Sequence, residues 1–190
     1  MENINIIIGR FQPFTLGHLK CAQFAQKELG VPTVLCVIET KKQDARHPFL
    51  TTQIAKILDK MCKEEPSLAG WVLVKNADIV KNTELLRANG FNPISWSCGT
   101  DRYDVYKDMA KRYKDDANLD DNFQVLEIKR GSDDISATAV RNALKNDDEK
   151  TYKSMVPNAW KNQFNYLKSI IVSVKESFTS LKDYLKESLQ

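Results

Sequence analysis

The chain has 190 residues, of which 42% are hydrophobic and 28% are charged. This length is enough for one domain whose hydrophobic core needs no disulfide or metal to stabilise it. Its net charge of +3 is too small to indicate nucleic-acid binding. No apolar run is long enough to span a membrane, and the residues after Met1 lack the basic start of a signal peptide. We therefore expect a cytoplasmic enzyme that binds neither nucleic acid nor membrane.

Apolar and amphipathic segments alternate along residues 1–157. The predicted strands are Ile4–Ile8, Thr33–Ile38, Trp71–Val74, Pro93–Cys98 and Phe123–Ile128. The predicted helices are Gly17–Leu29, Thr51–Cys62, Asn82–Ala88, Asp101–Tyr113, Thr138–Lys145 and Glu149–Met155. This alternation is typical of an α/β protein with a parallel sheet and right-handed crossovers. We predict a doubly wound, Rossmann-like sheet of about five strands.

Residues 158–190 have a different pattern and form a predicted helical extension. Their apolar side chains recur at heptad-like spacing in two series, which are Phe164, Ile171, Phe178 and Leu185, and Leu167, Val174 and Leu181. The stripe indicates a long helix or a helix pair. Two interpretations stay open, namely a helix docked across the first domain and a surface for homo-oligomerisation.

The cysteines lie in apolar runs and include no CxxC pair. They are Cys21, Cys36, Cys62 and Cys98. This spacing predicts buried free thiols in a reducing compartment and gives no indication of a zinc site.

The segment GRFQPFTLGH, residues 9–18, joins the first predicted strand to the first predicted helix. The first N–H groups of a helix lack intrahelical partners, and the helix dipole favours negative charge there. Gly9 and Gly17 would let the backbone approach a ligand closely. Arg10 and His18 can donate hydrogen bonds to phosphate oxygens. The segment therefore predicts a phosphate-binding site.

GRFQPFTLGH resembles the first signature of the nucleotidyltransferase superfamily, written (H/T)xGH. Its GRFQP start is most like the archaeal-type nicotinamide mononucleotide (NMN) adenylyltransferases, which usually carry His where this chain has Thr15. The Thr form is similar to phosphopantetheine adenylyltransferases. The resemblance implies a strand order of 3-2-1-4-5, with a ligand crevice between the first and fourth strands. It also implies nucleotide contacts from Gly9, Arg10, Phe11, Gln12, Pro13 and Gly17.

Gly99-Thr100-Asp101-Arg102 follows the fourth predicted strand. In the superfamily a Gly-Ser/Thr-Asp segment at this place lines the ribose and base of the nucleotide. Gly99 permits close approach, and the Asp101 carboxylate can accept from hydroxyls or simply cap the next helix. We predict nucleotide contacts from Gly99, Asp101 and Arg102, although Arg102 could equally point to solvent.

ISATAVR, residues 135–141, resembles the second signature of the superfamily, ISxTxxR. Ser136 or Thr138 can cap the helix while its N–H groups face a phosphate. Arg141 lies three residues beyond Thr138 on the same helix face, where its guanidinium could chelate the β- or γ-phosphate. The resemblance implies nucleotide contacts from Ile135, Ser136 and Thr138, so residues 1–157 would form the nucleotidyltransferase domain.

Further similarity to the archaeal-type enzymes is less specific. HPFLT, residues 47–51, resembles their NPFT-like segment, and Met155-Val156-Pro157 resembles a later VP, but Gln53 and Ile54 replace an acidic-basic pair. His47 could equally be a surface histidine. A nicotinamide ring would need an aromatic face. The candidates for this acceptor contact are Phe49, Trp96 and Tyr103.

The implied reaction transfers a nucleotidyl group from a nucleoside triphosphate to a phosphate oxygen and releases pyrophosphate. The acceptor phosphate is already ionised, so catalysis needs positioning and charge stabilisation more than a base. The predicted catalytic residues are His18 as a donor to phosphate, Thr15 as a hydroxyl donor and Arg141 on the triphosphate. Mg²⁺ would arrive with the triphosphate, held by its oxygens and water, so we expect no metal cage built by the protein.

The predicted partners are ATP and a small phosphorylated acceptor, with NMN favoured and NAD synthesis as the implied role. Phosphopantetheine is the second candidate acceptor, because the chain carries Thr15. The third candidate reaction is CTP-dependent transfer to phosphocholine or glycerol phosphate. A dinucleotide-dependent oxidoreductase is disfavoured because no GxGxxG follows the first strand. A class I aminoacyl-tRNA synthetase would need a KMSKS-type loop, which is missing. A non-catalytic nucleotide sensor remains the rival from another class.

Overall fold

The computed structural model describes residues 1–129 and 135–174. The strands are β1 (Glu2–Gly9), β2 (Thr33–Ile38), β3 (Leu68–Val74), β4 (Phe91–Gly99) and β5 (Gln124–Ile128). The helices are α1 (Leu16–Leu29), α2 (Thr51–Glu64), α3 (Ile79–Ala88), α4 (Thr100–Arg112), α5 (Ala137–Lys145), α6 (Glu149–Met155) and α7 (Asn158–Lys161). Residues 164–174 are helical as well.

The predicted strands and helices are all present, and two of them begin three residues earlier than their patterns indicate. β3 begins at Leu68 rather than at Trp71, because residues 68–70 pair with β2 despite the weak strand preference of an Ala-Gly pair. α3 begins at Ile79 rather than at Asn82. Its N-cap is Asp78, whose side chain accepts a hydrogen bond from the Lys81 N–H, a signal that the hydrophobic periodicity alone does not show.

The strands form one parallel sheet in the order β3-β2-β1-β4-β5, which confirms the predicted doubly wound fold. The order reverses between β1 and β4. Gly9 and Gly99 are the last residues of these two strands, so they lie at the carboxyl edge on either side of the switch point. In open α/β sheets this crevice is where ligands bind.

Side chains from β1 enter two cores, one on each face of the sheet. Ile4 and Ile6 pack in a cluster with Trp96 and α3. Ile7 packs in a second, larger cluster with α1, α2 and the C-terminal helices. Helices therefore cover both faces, as a parallel sheet requires, and the carboxyl-edge loops lie outside this cover.

A buried polar group links three neighbouring strands in the interior of the sheet. The Asn5 side chain donates to the Thr33 hydroxyl at 2.9 Å and accepts from the hydroxyls of Ser95 and Ser97, each at 2.9 Å. The amide is completely buried, so these hydrogen bonds compensate its desolvation. They link β2, β1 and β4, the strands that carry the crevice.

The described part of the C-terminal extension packs on the α/β sheet. Buried apolar side chains of residues 164–174 join the same cluster as α1 and α2; they are Phe164, Leu167, Ile170, Ile171 and Val174. Trp160 adds a contact of 3.3 Å from its Nε1 to the Met61 sulfur. Of the predicted heptad positions, Phe178, Leu181 and Leu185 lie outside the described residues, and homo-oligomerisation stays a prediction. No helix within the described ranges is long and apolar enough to cross a membrane.

The cysteines are free, and three of them, Cys21, Cys36 and Cys98, are buried. Burial raises the pKa of Cys36 to about 12, because the interior disfavours a thiolate. It is also the main cause that raises the pKa of Cys98 to about 12. These thiols are protonated at neutral pH and are poor nucleophiles.

We predict that a thiol reagent such as dithionitrobenzoate modifies Cys36 only when the protein unfolds. Burial both excludes the reagent and keeps the thiol protonated. Mass spectrometry after native and denatured labelling would measure this, and the denatured sample is the control for intrinsic reactivity. Rapid native labelling of Cys36 would contradict the packing of β2.

Candidate active site

The predicted phosphate-binding segment forms the turn between β1 and α1. Gly9 ends the strand, Phe11 has a positive φ of 49°, and the peptide bond between Gln12 and Pro13 is cis. Thr15 is the N-cap of α1, so the helix starts inside the predicted motif. The turn lies at the carboxyl end of the central strand. Arg10 is exposed there, as a phosphate-binding cation would have to be.

Thr15 and His18 form a capping box at the first turn of α1. The Thr15 hydroxyl accepts from the His18 N–H at 3.4 Å, and the Thr15 N–H donates to His18 Nδ1 at 3.0 Å. Because Nδ1 accepts a hydrogen bond, the neutral ring carries its proton on Nε2. The cap therefore fixes both the tautomer and the orientation of the imidazole, with Nε2–H as its donor.

Thr15 is 1% exposed, and its hydroxyl also lies 3.0 Å from His18 Nδ1. In this geometry the hydroxyl holds the imidazole. A direct contact of Thr15 with substrate stays a prediction.

Two aromatic rings pack against the imidazole of His18. The centroids of the Phe11 and Phe14 rings each lie 5.2 Å from the His18 centroid, at interplanar angles of 84° and 42°. Both rings are buried. Phe11 also packs over Gly9, where an added Cβ would lie 3.3 Å from its ring. Contacts of this kind keep the imidazole in a single orientation.

Arg141 joins the two signature segments, which are far apart in the sequence. Its Nη1 donates to the carbonyl oxygen of Gln12 at 2.6 Å, and its Nη2 donates to the Thr138 hydroxyl at 3.0 Å. Burial lowers the pKa of the guanidinium, while the Asp44 carboxylate acts in the opposite direction. An arginine remains protonated in either case, so this half-buried cation stays beside the turn.

The same two segments also meet at Gly17. A Cβ built on Gly17 would lie 3.0 Å from the carbonyl oxygen of Ile135 and 3.4 Å from the Thr15 hydroxyl. Glycine is therefore what allows the second signature to approach the first turn of α1. Ser136, and not Thr138, is the N-cap of α5, because its hydroxyl accepts from the Ala139 N–H at 3.1 Å.

The loop between β2 and α2 was not predicted to belong to the site, apart from its last residues. The Gln12 side chain donates to the carbonyl of Phe49 at 2.7 Å and accepts from the Phe49 N–H at 2.9 Å, so it binds this loop. The loop exposes Lys41, Lys42 and Arg46. These cations after the second strand are the sequence signal for an anion-binding rim.

Asp44 organises the tip of this loop. Its carboxylate accepts from the N–H groups of Arg46 at 2.7 Å and His47 at 2.6 Å, and it contacts the His47 ring at 3.1 Å. The hydrogen bond from the His47 side chain is the main cause that lowers the pKa of Asp44 to about 2. The predicted surface histidine is thus the partner of a loop carboxylate.

The third predicted segment begins α4 at the carboxyl end of β4. Gly99 is the N-cap residue, and Asp101 and Arg102 follow in the exposed first turn, with 3.9 Å between the Arg102 Nε and an Asp101 oxygen. Because β1 and β4 are paired in parallel, this turn and the turn after Gly9 share one edge of the sheet. The positions agree with the predicted switch point.

Two of the three predicted acceptor contacts need correction. The rings of Phe49 and Trp96 are both completely buried. Trp96 stacks on Tyr106 at 3.8 Å inside the core, and Phe49 packs in the cluster that contains α2, so neither presents a face to a ligand. Tyr103 is partly exposed and lines a groove of about 250 Å³ between α4 and β5.

A family model described as cytidylyltransferase-like matches residues 6–143, a range that contains all three motifs. The chain belongs to this family. No curated protein sequence matches the chain.

Solved structures with the same fold include adenylyltransferases. A bifunctional NMN adenylyltransferase/ADP ribose pyrophosphatase from Francisella tularensis has a TM-score of 0.62 at 16% identity, covering 100% of this chain and 57% of its own. Nicotinic acid mononucleotide adenylyltransferase of Plasmodium falciparum, complexed with NaAD, has a TM-score of 0.56 at 13% identity, covering 91% and 96%.

Thermotoga maritima TmcAL, bound with alpha-thio ATP, has a TM-score of 0.55 at 13% identity, covering 93% of this chain and 56% of its own. The chain thus spans a little over half the length of the Thermotoga and Francisella structures. At these identities the likeness shows the fold.

We predict that Gly17→Ala loosens the junction between the two signatures. In an ordinary helix this change is stabilising by about 1 kcal/mol, but here the methyl group would press on the Ile135 carbonyl. We expect a lower melting temperature. Gln23→Ala, an exposed change on the same helix, is the control. A stabilised Gly17→Ala variant would show that the Ile135 carbonyl moves aside.

We predict a pH-dependent contribution from Asp44. Its folded pKa of about 2 lies below the ordinary 3.8, so the carboxylate stabilises the folded loop above pH 3.8, and this contribution disappears as the pH falls through about 2. Carboxyl NMR titration would measure the pKa. His47→Ala should raise it toward 3.8, and an unchanged value in that variant would contradict the assigned cause.

Proposed function

We propose that the protein transfers AMP from ATP to the phosphate of a pyridine mononucleotide and releases pyrophosphate, with NMN as the favoured acceptor. The observation that carries the proposal is the junction of the two signatures, where the Arg141 guanidinium binds the Gln12 carbonyl at the turn that leads to His18. A pyridine mononucleotide as acceptor is supported by the likeness to the NMN adenylyltransferase of Francisella and the nicotinic acid mononucleotide adenylyltransferase of Plasmodium.

In the proposed reaction, an oxygen of the acceptor phosphate forms a bond to the α-phosphorus of ATP. The bond from that phosphorus to the oxygen bridging toward the β-phosphate breaks, and pyrophosphate leaves. The acceptor oxygen is already ionised, so no residue has to remove a proton. The protein has to align the two phosphates and stabilise the charge that develops.

We propose that His18 stabilises charge on the α-phosphate. In the capping box Nδ1 accepts a hydrogen bond, so the proton of the neutral imidazole lies on Nε2, and the start of α1 adds backbone N–H groups and a favourable dipole. A neutral donor that is already oriented needs little reorganisation as the charge develops.

We propose that Arg141 holds the leaving pyrophosphate. Its two observed hydrogen bonds, to Gln12 and Thr138, use two of the five guanidinium N–H groups, which leaves donors for phosphate oxygens. The start of α5, capped by Ser136, adds its backbone N–H groups. Arg10 and the exposed cations of the 39–50 loop would complete a positive rim.

We propose that ATP enters as its Mg²⁺ complex. The described residues contain no cluster of three or more His, Cys, Asp or Glu side chains that could hold an ion. Mg²⁺ commonly keeps several waters and binds substrate phosphates together with at most one or two carboxylates, and Asp101 at the switch point is such a carboxylate.

Phosphopantetheine is the second candidate acceptor, because the chain carries Thr15 where the archaeal-type signature has His. Pyrophosphate release should be assayed with ATP and CTP against NMN, nicotinic acid mononucleotide, phosphopantetheine, phosphocholine and glycerol phosphate. We expect ATP with a pyridine mononucleotide to react fastest. ATP binding without pyrophosphate release from any pair would favour the nucleotide sensor instead.

We predict that His18→Ala lowers kcat by about two orders of magnitude and weakens ATP binding much less, because its hydrogen bond strengthens as charge develops. Steady-state kinetics and calorimetric ATP titration would separate the two effects. Lys20→Ala, an exposed change in the same helix, is the control. Near-normal turnover of His18→Ala would remove the imidazole from the mechanism.

A further inference from the structure

The side chain of Gln12 binds both main-chain groups of one residue in the 39–50 loop. Its Oε1 accepts from the Phe49 N–H at 2.9 Å, and its Nε2 donates to the Phe49 carbonyl at 2.7 Å and to the Thr40 hydroxyl at 3.3 Å. Gln12 is only 4% exposed, so these bonds are shielded from water. A carboxamide can donate and accept at once, which is what this pair of contacts requires.

The main chain of the same residue binds the other signature. The Gln12 carbonyl accepts from Arg141 Nη1 at 2.6 Å. Gln12 thus holds the loop with its side chain and the guanidinium with its backbone. A displacement of either partner is transmitted to the other through one peptide unit.

The loop is closed at its base and carries charge at its tip. The Thr40 N–H donates to the Thr51 hydroxyl at 2.8 Å, and the Thr51 N–H donates to the Thr40 carbonyl at 3.2 Å. Between these ends are the exposed Lys41, Lys42 and Arg46. The position of this basic tip therefore depends on its base, which Gln12 binds at Thr40 and Phe49.

We infer that Gln12 is a positioning residue that couples the 39–50 loop to the guanidinium of Arg141. The inference rests on the proposed function, because it concerns the arginine assigned to the triphosphate. Binding of ATP at Arg141 fixes the loop, and a fixed loop favours binding of ATP, since coupling between two sites is reciprocal. Gln12 acts through these neighbours and needs no contact with substrate.

The first test uses the ligand-free protein and amide hydrogen exchange at Phe49. Gln12→Leu removes the acceptor of this amide and should raise its exchange rate by about tenfold or more. Arg141→Met does not touch Phe49, yet it should raise the rate by roughly threefold through the Gln12 carbonyl. Arg112→Met, an exposed change on α4, should leave the rate unchanged. Unchanged exchange in Arg141→Met would overturn the coupling.

The second test measures ATP binding by calorimetry with a matched amide on the same loop. The Gln43 side chain donates to the Pro48 carbonyl at 2.7 Å but does not reach the first signature. Gln12→Leu should weaken ATP binding about tenfold, whereas Gln43→Leu should change it by less than about twofold. Equal ATP affinity in Gln12→Leu and the parent would mean that Gln12 only supports the loop, and would overturn the inference.

The effect of ATP on amide exchange separates a positioning role of Gln12 from a simple loss of structure. ATP should slow exchange of the Phe49 amide in the parent and much less in Gln12→Leu, at temperatures where both are folded. Equal slowing in both would overturn the inference. If the parent does not bind ATP, the proposed function fails, and the exchange rates of the ligand-free variants still decide whether Gln12 couples the loop to Arg141.

Discussion

The structure of the site depends on a hydrogen bond of 2.6 Å between the Arg141 guanidinium and the Gln12 carbonyl. It connects residues that are 129 positions apart and brings together the start of α1 and the start of α5. A helix start is a weak anion site alone, because its dipole acts only within the first turn. Two such starts with a half-buried cation between them can hold several phosphate oxygens at once.

The capping contacts between Thr15 and His18 show how a short sequence can orient a hydrogen-bond donor. An N-cap residue usually satisfies only backbone N–H groups. In this chain the residue at the third helical position is His18, so the capping box also uses a ring nitrogen of the imidazole and determines which nitrogen keeps the proton. Phe11 and Phe14 then restrict the ring from the protein side. The hydrogen bonds that cap the start of α1 therefore also orient the imidazole of His18 as a hydrogen-bond donor.

Sequence reasoning located the backbone of the site better than its side chains. Gly9, Gly17 and Ser136 have local conformational signals, and the sheet order then places their segments together. Phe49 and Trp96 were assigned to the acceptor by residue type, yet periodicity cannot show whether a ring near a loop faces ligand or core. The pairing of Gln12 with Phe49 joins residues 37 positions apart, and no local pattern contains it.

The discrimination between acceptors has to come from outside the signatures. We propose that GRFQPFTLGH and ISATAVR contact the phosphates, which all the candidate reactions share. The 39–50 loop is different, because its exposed cations lie at the edge of the site and its position is set from within the first signature. A change in this loop can alter which acceptor is held, and the coupling through Gln12 also transmits such a change to Arg141. Differences in acceptor among proteins of this fold are therefore expected to follow the loop after β2 more closely than the turn before α1.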